Sequence, residues 1–192
     1  MIDLEPATQA LSQLVTNVRD DQLTAPTPCS ETTLGGLLDH IDGLSQAFTA
    51  AAIKSGTEAS NAGPSADASR LGTDWRERIP QRLAGLAAAW QDESSWSGMT
   101  RAGGQDVPSE IAGVIALNEV IVHSWDIAAA TGQPFDCDAE LVEAAAGFVR
   151  PTATANPDGV PGLFGPAVAV PDDASPLDQL LGLTGRHPTW SG

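Results

Sequence analysis

Positive charge is scarce in this chain: nine Lys and Arg stand against 25 Asp and Glu, a formal net charge of −16. Nucleic acid and anionic membrane surfaces both require a basic footprint, so neither is expected as a partner, and the acidic excess is read as a solubility feature. No apolar run is seen that approaches the roughly 18 residues of a membrane span. The opening residues, Met1 to Pro6, are acidic and lack the basic and apolar regions of a signal peptide, from which a cytoplasmic location is expected. Cysteine is limited to Cys29 and Cys137, which fit no Cys-x-x-Cys spacing and are read as free thiols. Cys29 falls near an expected helix start, where the helix dipole would lower its pKa. No base accompanies it in sequence, and its role stays open. Sustained period-two alternation is missing, which argues against a large sheet. Internal repeats are missing too.

What is present is helical periodicity. With 192 residues, 42% of them hydrophobic, the chain is long enough for one domain with its own core. Residues 4–18 carry Leu11, Leu14, Val15 and Val18 at helical spacing. After a proline-broken stretch, Ser30 is the expected N-cap of a second helix, with Glu31 in its first turn. That helix carries Leu34, Leu37, Leu38, Ile41, Leu44 and Phe48 and ends near Lys54. Residues 57–69 read as a crossover loop. A third helix over 73–91 presents Trp75, Ile79, Leu83, Leu86 and Trp90 on one face. Residues 94–108 form a second connection, with a little strand near 96–102 left open. A fourth helix spans 109–130, stopping at Thr131-Gly132, and a fifth spans 138–149, ending at Arg150-Pro151. Beyond it lies a Pro/Gly-rich segment with a short helical run over 176–182. Val160, Leu163, Phe164, Val168 and Val170 imply that this segment packs on the domain. The expected fold is all-α: a four-helix bundle with long crossover connections over about residues 1–151, plus an extension over about 152–192.

The fourth helix carries the chemistry. Glu119 and His123 lie four residues apart, among Ile111, Val114, Ile115, Leu117, Val120, Ile121 and Val122. Positions i and i+4 of a helix stack with Cβ atoms roughly 5–6 Å apart, close enough to share one ion. A buried carboxylate must be paired, protonated or metal-bound. His40 is the natural third ligand: it sits about 60° from Leu37 and about 40° from Leu44 around its helix, at the border of the core. Gly36, Gly43 and Ala47 beside His40, and Ala112, Ala116 and Ala130 beside the pair, leave a cavity or permit close approach. Two histidines and a carboxylate form an open ligand set that suits zinc, nickel or iron(II). Asp126, three residues on, is placed to orient His123 as a hydrogen-bond acceptor, or serves as an ordinary helix-packing acid. The competing reading is a hydrogen-bonded Glu119–His123 pair with no metal. A His-Glu-x-x-His protease pattern is absent, and no hydrolytic base is evident. His187 lies in a terminal turn and is expected to be solvated.

Several segments, in order, resemble the DinB/YfiT-like metal-binding superfamily, in the branch related to the N-terminal domain of mycothiol-dependent maleylpyruvate isomerase. They are the run from Thr27 to Glu31 leading into Leu37-Leu-Asp-His40, the run from Glu119 to Gly132, the run from Phe164 to Asp173, and the run from Leu180 to Arg186. The resemblance implies a four-helix bundle holding a divalent ion, usually zinc or nickel, through His40, Glu119 and His123. It also implies a metal-dependent enzyme using a low-molecular-weight thiol such as mycothiol, with an electrophile as second substrate, in S-transfer or isomerisation. The alternative is a non-catalytic metal- or ligand-binding bundle in which the ion braces two helices. Thr32 stands where members of this family commonly have Trp, which alters the pocket wall or the helix entrance. The isomerase is expected to carry an additional C-terminal domain. Nothing in the sequence fixes the oligomeric state, and a homodimer stays open.

Overall fold

A computed structural model describes residues 1–29, 32–56 and 65–192. Among them are six α-helices and one hairpin: α1 (Glu5–Asn17), α2 (Leu34–Ala52), α3 (Trp75–Trp90), β1 (Met99–Ala102), β2 (Gln105–Pro108), α4 (Ser109–Thr131), α5 (Ala139–Ala155) and α6 (Pro176–Leu183). Helices α1 and α2 each pack against both α3 and α4, so the contacts close a ring α1–α3–α2–α4 around one core. Helix α5 lies on α4 and carries α6.

The apolar stripes point where their spacing requires. Leu11, Leu14 and Val15 of α1 are buried, as are all five residues foreseen on the α3 face. On α2 the stripe is buried except at Leu44, which is half-buried. Helix α4 is apolar on every side, and Leu117, Ile121 and Ile127 are fully buried. Its N-terminal end is less enclosed than expected, with Ile111 exposed and Val114 and Ile115 half-buried. By length and composition α4 is apolar enough to cross a membrane, contrary to the sequence-based expectation, and 78% of its most apolar window is buried inside the protein. It ends as foreseen at Gly132, in the left-handed region at φ 70°.

Three elements depart from expectation. Helix α2 starts at Leu34, capped by the Thr33 hydroxyl accepting from the Gly36 N–H. Ser30 and Glu31, the expected cap and first-turn acid, lie outside the described residues. Helix α5 runs through Pro151 to Ala155. The carbonyl that Pro151 leaves without an N–H belongs to Gly147, which is exposed and so open to water. The Thr152 and Thr154 hydroxyls bond the carbonyls of Phe148 and Arg150 at 2.8 Å each, which supports the turn around the proline. The connection before α4 contains a hairpin, so the fold is mostly helical rather than strictly all-α. β1 pairs antiparallel with β2, and Gly103 and Gly104 turn the chain at φ 57° and 77°. Two successive positive φ values are what a two-residue hairpin turn demands, and Gly-Gly meets that demand.

Of the expected crossover, residues 57–64 lie outside the described set. The remainder folds back onto α2, where the Asp39 carboxylate accepts from the Ser65 hydroxyl and from the Asp67 N–H at 3.1 Å. Gly36 allows this approach, because a Cβ there would meet the Ala66 carbonyl oxygen at 2.7 Å. A similar contact occurs at Gly113, where a Cβ would lie 2.6 Å from Trp96 and 2.9 Å from Trp90. Gly113→Ala is therefore expected to destabilise by about 1–3 kcal/mol through overpacking, more than the gain of about 1 kcal/mol in helix propensity. Gly85→Ala, on the exposed side of α3 with nothing within 4 Å, is expected to stabilise by up to about 1 kcal/mol. Urea denaturation of both variants measures the contrast.

Candidate metal centre

Helix α4 stacks Glu119 and His123 on one face, with His123 Nε2 3.1 Å from Glu119 Oε2. Helix α2 presents His40 from across the ring, its Nε2 3.9 Å from the same oxygen. The two imidazoles meet edge to face, with centroids 5.0 Å apart at 89°. One donor atom from each residue falls within 4.8 Å of the others. Bonds of about 2.0–2.2 Å at tetrahedral or octahedral angles separate neighbouring ligand atoms by about 2.8–3.6 Å. The Glu119–His123 spacing of 3.1 Å lies in that range, and His40, 3.9 Å from Glu119 Oε2, has to move closer. The donor set fits a small dication.

Behind His123 lies a second layer. Its Nδ1 is 2.9 Å from Asp126 Oδ2. Asp126 is wholly buried and held by Arg186, whose Nη2 reaches Oδ2 at 3.0 Å and whose Nε reaches Oδ1 at 3.4 Å. Arg186 Nη1 donates to the Thr184 carbonyl at 2.9 Å. Burial pushes the Asp126 carboxyl up, but the guanidinium and the imidazole outweigh it and the pKa falls below its ordinary value. Asp126 is thus an ionised acceptor, and His123 must carry a proton on Nδ1. That leaves His123 Nε2 facing the Glu119 carboxylate. Two lone pairs at 3.1 Å repel, so this contact needs a cation between them or a proton on Nε2. In the metal-free protein the proton fills that role. Burial lowers the His123 pKa, yet hydrogen bonds to Asp126 and Glu119 hold it up to about 9. Burial likewise raises Glu119, but the two histidines pull it down to about 2.

The ligand trio opens onto a cavity of about 400 Å³. Its walls include Cys29, Arg186 and the turn formed by residues 160–165 of the C-terminal segment. The structure brings His40, Glu119 and His123 together, with Asp126 behind His123. His187 does not join them; it is exposed, with the Thr189 hydroxyl 2.9 Å from its Nδ1. Cys29 corrects an expectation. Helix α2 begins five residues beyond it, so no dipole acts on the thiol, and burial pushes its pKa up, opposed by Arg186 and by a hydrogen bond from Thr32. Arg186 escaped the sequence reading. The available signal was its isolation as the lone Lys or Arg after Arg150 in an acid-rich chain.

The family described as the mycothiol maleylpyruvate isomerase N-terminal domain matches residues 4–128. An uncharacterized protein from each of two Mycobacterium tuberculosis strains is 31% identical over 183 residues, covering 94% of this chain and 93% of the relative. The crystal structure of the mycothiol-dependent maleylpyruvate isomerase superposes with a TM-score of 0.67 at 18% identity, covering 97% of this chain and 88% of that one. A mutant of that enzyme gives 0.68 at 18% identity, with 96% and 87% covered. The shared fold therefore includes the C-terminal segment. It leaves little of the crystallised isomerase for the additional domain expected from the sequence.

Two outcomes follow from the proton on His123. Because its folded pKa is raised, the metal-free protein gains stability from it that is complete below about pH 6.5 and lost as pH rises through about 9. Thermal denaturation in chelator between pH 6 and 10 should show this loss, and His123→Gln should flatten it. Glu119 runs the other way, holding its contribution above about pH 4.5 and losing it only near 2.

Proposed function

Because this chain belongs to the family of the mycothiol maleylpyruvate isomerase N-terminal domain, we propose that it binds a divalent metal and activates a low-molecular-weight thiol of the mycothiol type, for isomerisation or S-transfer to an electrophile. The fold that carries the site is read as a four-helix bundle with crossover connections, one domain over the whole chain. One observation carries the proposal: three donor side chains converge at the wall of an open cavity, with a buried carboxylate–guanidinium pair fixing one of them from behind.

His40, Glu119 and His123 would hold the ion. When bound, a dication lowers the pKa of a thiol from about 8.5, so that the sulfur is presented as thiolate at neutral pH. Zinc suits this ligand set first, and nickel or iron(II) also fit it. The chain's own contribution is orientation. Asp126 keeps the His123 proton on Nδ1 and its Nε2 lone pair toward the ligand position, and Arg186 keeps Asp126 ionised. A purely structural ion is usually enclosed by four protein ligands, whereas this trio faces a cavity and leaves room for sulfur.

Protein purified without an affinity tag should carry about one equivalent of divalent metal by elemental analysis. His40→Ala should lose it, and Asp126→Asn should weaken binding by about 10–100-fold. Calorimetric titration with mycothiol should show binding to the metal-loaded protein that chelation removes. Full metal occupancy with neither thiol binding nor thiol-dependent turnover would overturn the reading.

A further inference from the structure

The guanidinium that lines the cavity is already engaged. Of the nine Lys and Arg in the chain, Arg186 alone contributes to the wall. Its Nε and Nη2 point at the Asp126 carboxylate and its Nη1 at the Thr184 carbonyl, and it is 8% exposed. The positive charge is neutralised from within the protein, and the guanidinium is not presented as a fork to an incoming carboxylate.

The wall contributed by the C-terminal segment has the opposite character. Val160, Pro161 and Leu163 line the cavity, and Phe164 behind them is buried in the core. This wall is fixed rather than a loose lid. Val160 and Phe164 exchange both backbone hydrogen bonds, at 2.8 and 3.0 Å. Gly159, at φ 86°, brings the backbone against Gly165 and Phe164 so closely that a Cβ would sit 2.7–2.8 Å from them. Gly185, at φ 83°, closes on Gly165 and Pro166 from the other side, with 3.1 Å from its Cβ position to the Pro166 carbonyl oxygen. A ligand must therefore adapt to this surface.

We propose that the second substrate of this site is an uncharged electrophile with an apolar body, seated against Val160, Pro161 and Leu163, and that a dicarboxylate is disfavoured. This rests on the thiol-activating reading for the identity of the first substrate, but the polarity preference belongs to the cavity itself. Burying a charge against an apolar wall without a partner is costly, whereas a neutral ester of the same shape incurs no such penalty.

The test compares phthalate, a dianion, with its dimethyl ester. Binding is followed by ligand-observed NMR titration, first to the metal-free protein and then to protein loaded with zinc and mycothiol. The diester is expected to bind at least about tenfold more tightly than the diacid in both states. Leu163→Lys, which adds a cation to the half-buried edge of the wall, is expected to shift the ratio toward the diacid by about tenfold. Equal or tighter binding of the diacid to the metal-free wild type, or a ratio unmoved by Leu163→Lys, overturns the proposal. A diester preference in the metal-free protein supports the apolar wall even where the loaded protein shows no mycothiol binding, and that second result counts against the thiol reading alone.

Discussion

A single buried hydrogen bond, between His123 Nδ1 and Asp126, sets the arrangement of the polar cluster between α2 and α4. It selects the tautomer of the imidazole, and through the tautomer it decides which nitrogen faces Glu119 and His40. The acceptor needs its own support, because a wholly buried carboxylate would otherwise take up a proton. Arg186 supplies that support from beyond α6, so a residue remote in sequence holds the electronic state of the centre. The helical ring, the Gly113 contact with the two tryptophans and the capped start of α2 all bear on where α2 and α4 place the ends of three side chains.

The C-terminal segment is as much a part of the site as the helices. Its turn at residues 160–165 and its strand of chain at 184–186 supply most of the cavity wall that the ligand helices do not. One small region thus has two faces of different polarity. The α2–α4 side is ionic and internally neutralised, and the other side is aliphatic and pinned at Gly159, where a Cβ would collide with the backbone of residues 164–166. A cavity built this way keeps its ionic side and its aliphatic side apart.

Helix positions were legible in the sequence because apolar spacing alone carries them: the five buried residues of α3 could be named in advance, as could the Gly132 stop of α4. The Glu119–His123–Asp126 relation was legible for the same reason, since all three lie within two turns of one helix. His40 could be selected by its angular position, though its distance from Glu119 depends on how two helices meet. Arg186 was not legible. Its pairing with Asp126 spans 60 residues and a Pro/Gly-rich stretch whose path no periodicity encodes. Of the hairpin, a strand near 96–102 was left open, but its Gly103-Gly104 turn and second strand were not read, because strands of four residues are too short to establish alternation. The passage of α5 through Pro151 was missed because local rules forbid it and only exposure of the Gly147 carbonyl permits it.

The position of Arg186 also has a consequence for how the protein is born. During synthesis His40, Glu119, His123 and Asp126 all leave the ribosome before the guanidinium that lies 60 residues behind Asp126. A nascent chain long enough to form α4 still lacks the residue that keeps its buried carboxylate charged, so the imidazole orientation is settled last. Helix assembly and the pairing of Asp126 are thereby separated in time, since Arg186 follows the end of α4 by more than 50 residues.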